Sequence, residues 1–163
     1  MARVRIVEIT VINAKNLKAV RKESKMKVYA KISINGKPKT EKKTPVDKKG
    51  KRGPTWNFPV KYSLGERAVT AYGVMLQIEL YCKRTCWKDK YIGEVSVPMK
   101  DLFARSNGNS GGGIVSYEVT RGSHKSQGEV TFSCAFSDVK TTKKWKKWLS
   151  GALNIATQVI VFY

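Results

Sequence analysis

The sequence predicts an all-β fold: an eight-stranded antiparallel β-sandwich followed by an amphipathic helical tail. Three observations carry that expectation. Short segments alternate apolar and polar residues with period two. Clusters of Gly, Pro, Asn and Ser punctuate them. No strand–helix alternation of the kind that builds a parallel sheet occurs.

The elements follow in order. Val4 to Ile12 alternates first. In the next segment Val28, Ala30, Ile32 and Ile34 alternate with Tyr29, Lys31 and Ser33. Trp56 to Tyr62, Val74 to Tyr81, Ile92 to Val97, Ile114 to Val119 and Glu129 to Phe136 continue the pattern. "NGKPK", "KRGPT", "RSNGNSGGG" and "RGSHKSQG" supply the turns, through residues that accept positive φ or fix it. Only "PMKDLFARS" reads as a helical turn. Trp56 opens a strand directly after a Gly53-Pro54 turn and is expected in the core.

The last 24 residues change character, so the expected domains are a sandwich over 1–139 and a tail over 140–163. Trp145, Trp148, Leu149, Ala152, Ala156, Val159, Ile160 and Tyr163 recur at helical spacing. The tail opens on Lys143, Lys144, Trp145, Lys146, Lys147, Trp148 and Leu149. A basic, aromatic start leading into an apolar stripe is the pattern of a helix lying in a membrane interface. The same pattern serves a helix packed on the sandwich, or a calmodulin target. Leu149 to Tyr163 is 15 residues and includes Ser150, Gly151 and Asn154, which is short for a span.

Charge is the strongest bulk signal. Lys and Arg number 32 against 12 Asp and Glu, a net of +20. A field of that size implies a polyanionic partner: nucleic acid, an anionic membrane or an acidic protein. The charge is uneven. Lys15 to Arg52 holds 15 basic and three acidic residues, and "CKRTCWKDK" and "KTTKKWKKW" form two further clusters. Three cysteines at these spacings make no disulfide framework and favour a reducing compartment. The expectation is a chain with no secretory leader, no transmembrane span and no lipidation box.

Catalytic chemistry is not expected. His124 is the single histidine and lies in a turn segment. "GNSGG" at 108–112 formally matches G-x-S-x-G but lacks the strand before and helix after that the motif needs. Cys82 and Cys86 have no second pair and no nearby histidine, so neither zinc nor any other cofactor is called for.

Three ordered stretches resemble a known family, the C2 domains, which are membrane-targeting β-sandwiches. They are "IVEITVINAKNLKAV" with "SKMKVYAKISING", then "KTPVDKKGKRGPTWNFPVKYSL", then "LQIELYCKRTCWKDKYIGEVSVPMKDL". The second and third are similar to the plant cold-regulated single-C2 proteins. The resemblance covers roughly residues 3–137 and, from the order of its strands, implies the circularly permuted second topology of that fold. It also implies five calcium-ligand aspartates, which would fall on Arg21, Lys27, Cys82, Arg84 and Lys90. All five are missing here, and Asp89 is the single carboxylate of its loop.

The expected function is therefore a peripheral, calcium-independent module for anionic phospholipids, of the phosphatidylserine or phosphoinositide class. Arg21, Lys27, Arg84 and Lys90 would make the loop mouth positive without metal, with Lys88 and a membrane-facing Trp87 beside them. The resemblance also implies a second headgroup patch at Lys37, Lys39, Lys42 and Lys43, in the hairpin where many C2 domains carry a lysine-rich phosphoinositide site; strand alternation would set Lys37, Lys39 and Lys43 on one face. The tail would add an anchor. The expected location is the cytoplasmic face of the plasma membrane or endoplasmic reticulum, with a signalling or stress-response partner recruited there. Two alternatives remain: a nucleic-acid-binding basic protein, which no recognition motif supports, and an adaptor for an acidic protein.

Overall fold

Every segment whose alternation predicts a strand is a strand in the computed structural model, which describes residues 3–70, 73–106, 113–122, 125–141 and 157–158. These are β1 (Arg3–Lys15), β2 (Val28–Ile34), β4 (Thr55–Gly65), β5 (Met75–Cys82), β6 (Lys90–Pro98), β7 (Gly113–Thr120) and β8 (Ser126–Phe136). The eighth, β3 (Lys42–Lys43), is a two-residue edge strand. The predicted helical turn is α2 (Met99–Ser106). A second short helix, α1 (Glu66–Thr70), carries no helical periodicity over its five residues and was not expected.

The strands pair antiparallel in the order β4-β1-β8-β7-β6-β5-β2-β3. Between β6 and β7 the pairing narrows to Glu94 opposite Thr120. There the sheet curls over into two four-stranded layers, β4-β1-β8-β7 and β6-β5-β2-β3. The first and last long strands, β1 and β8, are hydrogen-bonded neighbours over Val7 to Lys15, as the permuted topology requires.

Alternation explains the core. Val28, Ala30, Ile32 and Ile34 of β2 point inward with Leu76, Ile78, Leu80 and Cys82 of β5. They meet Val7, Ile9 and Val11 of β1 and Val130, Phe132 and Phe136 of β8. Burial of this apolar set, at roughly 25 cal/mol per Å² removed from water, is the main force holding the layers together. Gly93 sits where β7 comes closest to β6. A Cβ there would lie 2.7 Å from Val119 Cγ1 and 2.8 Å from the Thr120 carbonyl oxygen.

One expectation needs correction. Lys37 and Lys39 do not lie on a strand. Pro38 fixes φ and lacks an N–H, so Pro38–Thr40 turns as a short 3-10 helix. The buried Thr40 hydroxyl accepts the Ile34 N–H at 2.8 Å and locks that turn. The helical tail expected over 140–163 falls almost wholly outside the described residues; of those described, β9 (Lys140–Thr141) pairs with Arg3 and Val4, and β10 (Thr157–Gln158) runs parallel to Lys61 and Tyr62. An open strand edge offers unpaired N–H and C=O groups that a passing chain can satisfy. The remaining tail residues, including Lys143, Lys144, Trp145, Lys146, Lys147, Trp148 and Leu149, lie outside the described residues, as do His124 and the 108–112 motif.

A cationic loop end as candidate functional site

Antiparallel strands return every second connection to the same end of the sandwich. The loops 16–27, 44–54, 83–89 and 121–125 therefore share one end. They carry 14 Lys and Arg against three carboxylates, Glu23, Asp47 and Asp89. The connections at the opposite end, 35–41, 66–74, 99–112 and 137–139, carry five cations and four carboxylates. Among the connecting loops the excess charge is thus strongly polarised along the strand axis.

The loop end is built on the start of β2. The Lys83 N–H donates to the Lys27 carbonyl at 2.8 Å. Val28 and Asp47 exchange backbone hydrogen bonds at 3.2 and 2.9 Å. The Trp56 indole N–H donates to the Val28 carbonyl at 3.1 Å, so this half-buried tryptophan ties the two layers together. Asp47 accepts the N–H groups of Lys49, Gly50 and Thr55, each at 2.7 Å, and shapes its loop from within. Partial burial alone would raise its pKa, but those three donors hold it below the ordinary carboxylate value. Leu17, fully buried, pins the loop 16–27 to the core.

Three of the four predicted mouth cations come together. Arg21, Lys27 and Arg84 line one open hollow of about 230 Å³, with Lys25 and Lys83. Arg21 Nη1 donates to the Lys83 carbonyl at 3.4 Å, and Arg84 Nε to the Lys88 carbonyl at 2.8 Å. These bonds orient the guanidinium groups and leave further N–H donors on each. Lys90 is separate. Its Nζ crosses to the Val20 carbonyl at 3.1 Å and lines a different hollow. Trp87 is 75% exposed, beside exposed Cys86 and Lys88.

The residues at this mouth do not fit a calcium ion. Calcium takes six to eight hard oxygen ligands, largely carboxylates. Asp89 is already engaged: it accepts the Tyr29 hydroxyl and the Arg84 N–H, and Lys83 Nζ lies 3.7 Å away. Burial would raise its pKa, but the Tyr29 hydroxyl, the Arg84 N–H and the Lys83 ammonium hold it below the ordinary value. Asp89 is a strut for the loop 83–89. Among the described residues, no three His, Cys, Asp or Glu side chains converge on a metal position.

The hairpin lysines are dispersed. Lys43 pairs with Lys31 and Lys42 with buried Ile32, so neighbours face opposite ways. Lys37 and Lys39 belong to the turn at the far end. On the outer face the register runs Lys43, Lys31, Glu79, Glu94, which sets two cations beside two carboxylates. Lys31 Nζ stacks 4.6 Å over the Tyr81 ring. Tyr81 in turn donates to Glu79 at 2.9 Å, and burial with that bond pushes its pKa up to about 12.

Sequence reasoning missed Lys48, Lys49 and Lys51, which fall at the same end in the loop 44–54, and Lys18 and Arg121, which join Lys90. Counting connections would have found them, since alternate loops share an end.

A two-layer sandwich with sequence-distant loops gathered at one end defines a C2 domain. The C2 domain family model matches residues 5–111, and the chain belongs to that family. In the general sense of that family it is a membrane- and lipid-binding module. The chain is 38% identical over 136 residues to "Protein SRC2" of Glycine max and 34% identical over 137 residues to "Protein SRC2 homolog" of Arabidopsis thaliana. The matches cover 82% and 84% of this chain but 47% and 42% of those proteins, so it spans less than half their length. Among solved structures, the C2A domain of plant Extended Synaptotagmin 1 aligns with TM-score 0.67 at 18% identity, over 81% of this chain and 93% of that one. The C2A and C2B domains of Extended-Synaptotagmin 2 align with TM-score 0.65 at 16% identity, over 94% and 49%. At these identities the likeness concerns the fold. The SRC2 relatives bear out the plant single-C2 resemblance read from the motifs.

Proposed function

We propose that this chain is a non-enzymatic peripheral module that docks its loop end on anionic phospholipid surfaces without calcium. One observation carries the reading: four loops at one end hold 14 cations and three carboxylates, two of the latter spent on loop hydrogen bonds. In an acidic mouth, bound calcium supplies the positive charge that meets headgroups. Here lysine and arginine supply it permanently. Each is worth about 1 kcal/mol near an anionic leaflet. Trp87 at the loop tip would seat its amphipathic ring at headgroup depth. The outer face of β2, β5 and β6 is a weaker candidate, because Glu79 and Glu94 offset Lys31 and Lys43. The segment from residue 140 leaves beside Arg3, at the end opposite the loops. We assign its basic, apolar sequence to a second attachment apart from the loop contact. The membrane would be the cytoplasmic face of the plasma membrane or endoplasmic reticulum, with a stress-response or signalling partner.

Cosedimentation with phosphatidylcholine vesicles containing about a third phosphatidylserine tests this. The expected result is equal pelleting with calcium and with chelator, and release as salt rises through a few tenths molar. Pelleting that requires calcium, or none with acidic vesicles, overturns it.

A further inference from the structure

We infer that the loop end carries a second anion site, distinct from the Arg21–Lys27–Arg84 hollow, that takes a phosphomonoester group. It does not depend on the mouth being the membrane contact. The site is an open hollow of about 350 Å³ lined by Lys18, Ala19, Val20, Lys90, Tyr91 and Arg121. That volume lies in the range of small-molecule sites.

Its three cations come from three separate places. Lys18 lies in the loop 16–27, Lys90 opens β6, and Arg121 follows β7. Among the described residues no carboxylate lines the hollow. Each contributor is positioned. The Lys18 backbone N–H donates to the Gln127 carbonyl at 2.9 Å. Lys90 Nζ donates to the Val20 carbonyl at 3.1 Å. The Arg121 guanidinium sits 5.7 Å from the centre of the Tyr91 ring, and Tyr91 is itself held by its hydroxyl donating to Glu94 at 3.0 Å.

Neighbouring residues of one loop separate this hollow from the mouth. Val20 turns its carbonyl to Lys90, while Arg21 turns its guanidinium to the Lys83 carbonyl. Three cations lining one hollow match a phosphomonoester, which carries close to two negative charges and three acceptor oxygens at neutral pH. A phosphodiester offers one charge flanked by substituents, and a carboxylate offers one charge and two oxygens. The arginine fork adds bidentate geometry that a lysine alone lacks. A lipid headgroup and a free phosphorylated polyol both present this chemistry.

The test titrates the whole chain with soluble inositol 1,4,5-trisphosphate, following backbone amides by NMR and affinity by calorimetry at about 0.1 M salt. The expected outcome is saturable binding that shifts the Lys18, Val20 and Arg121 amides. K18E/R121E should weaken it tenfold or more, and Arg21→Gln with Arg84→Gln should change it less than threefold. Lys18 and Arg121 are exposed and Arg21 and Arg84 half-buried, and thermal unfolding checks that both variants keep the fold. Binding lost equally in both variants, shifts confined to the mouth amides, or no saturable binding up to millimolar trisphosphate each overturns the inference. A parallel arm uses phosphatidylcholine vesicles bearing a few per cent phosphatidylinositol 4-phosphate. K18E/R121E-sensitive binding there assigns the site to a lipid headgroup. Sensitivity with the soluble probe alone assigns it to a free phosphate ester, and either result supports the site. Loss of phosphatidylserine-vesicle binding only in the Arg21/Arg84 variant supports the mouth reading whatever happens here, so the two ideas fail separately.

Discussion

Replacing Arg21, Lys27 and Arg84 together by Gln removes the three predicted cations that share one hollow. Each is expected to contribute about 1 kcal/mol to binding an anionic leaflet. The loss is then about 3 kcal/mol, or roughly 150-fold in partition coefficient at 1.4 kcal/mol per tenfold. Arg21 and Arg84 each donate to a loop carbonyl, but a guanidinium has five N–H groups, so most of its donors still face outward. The control carries Lys39→Gln, Lys100→Gln and Arg105→Gln at the opposite end. Both variants lose the same three charges from the +20, so only position differs. Vesicle partition at about 0.1 M salt, where the screening length is about 10 Å, reads the effect. The control should lose less than threefold. If the mouth variant also loses less than threefold, or if both lose equally, the loop end is not the contact and bulk charge alone drives association.

Two further outcomes concern the scaffold. Asp47 and Asp89 have folded pKa values below their ordinary value, so each adds stability that is present at neutral pH and lost as pH falls through about 4 and below. Urea unfolding at pH 6.5 and pH 3.5 should show a smaller acid loss in Asp89→Asn, which should also lower Tm at neutral pH by about 3–6 °C, on the order of 1–2 kcal/mol. Unchanged acid sensitivity would mean the strut contributes nothing. Gly93→Ala drives a methyl against the Val119 side chain and Thr120 carbonyl and should cost about 1–3 kcal/mol in chemical denaturation, whereas an unaltered midpoint would show that β7 can move aside freely.

The strands were legible because burial on one face imposes period two. Val28, Ala30, Ile32 and Ile34 could point nowhere but inward. Family wording supplied the topology and the loop positions, and the vacant ligand positions drew attention to Arg21, Lys27 and Arg84. Where the sequence misled, local chemistry overrode pattern. Strand alternation sets Lys37, Lys39 and Lys43 on one face, but Pro38 and the Thr40 hydroxyl turn Pro38–Thr40 into a 3-10 helix and leave Lys37 and Lys39 at the far end. The lysine-rich hairpin looked uniformly basic because Glu79 and Glu94 are distant in sequence and adjacent only across the sheet.

The chain's composition and periodicity set its net charge, its strands and its core, since each depends on residue type and spacing along a single segment. Which cations share a surface depends on how loops far apart in sequence are brought to one end, and that follows from strand pairing. Pairing placed Lys48, Lys49 and Lys51 beside the mouth, turned Asp89 inward to Tyr29, and parted Lys90 from Arg21 by a single carbonyl. A lysine's side chain goes to whichever carbonyl, ring or carboxylate the fold sets within reach, and no local pattern encodes that neighbour.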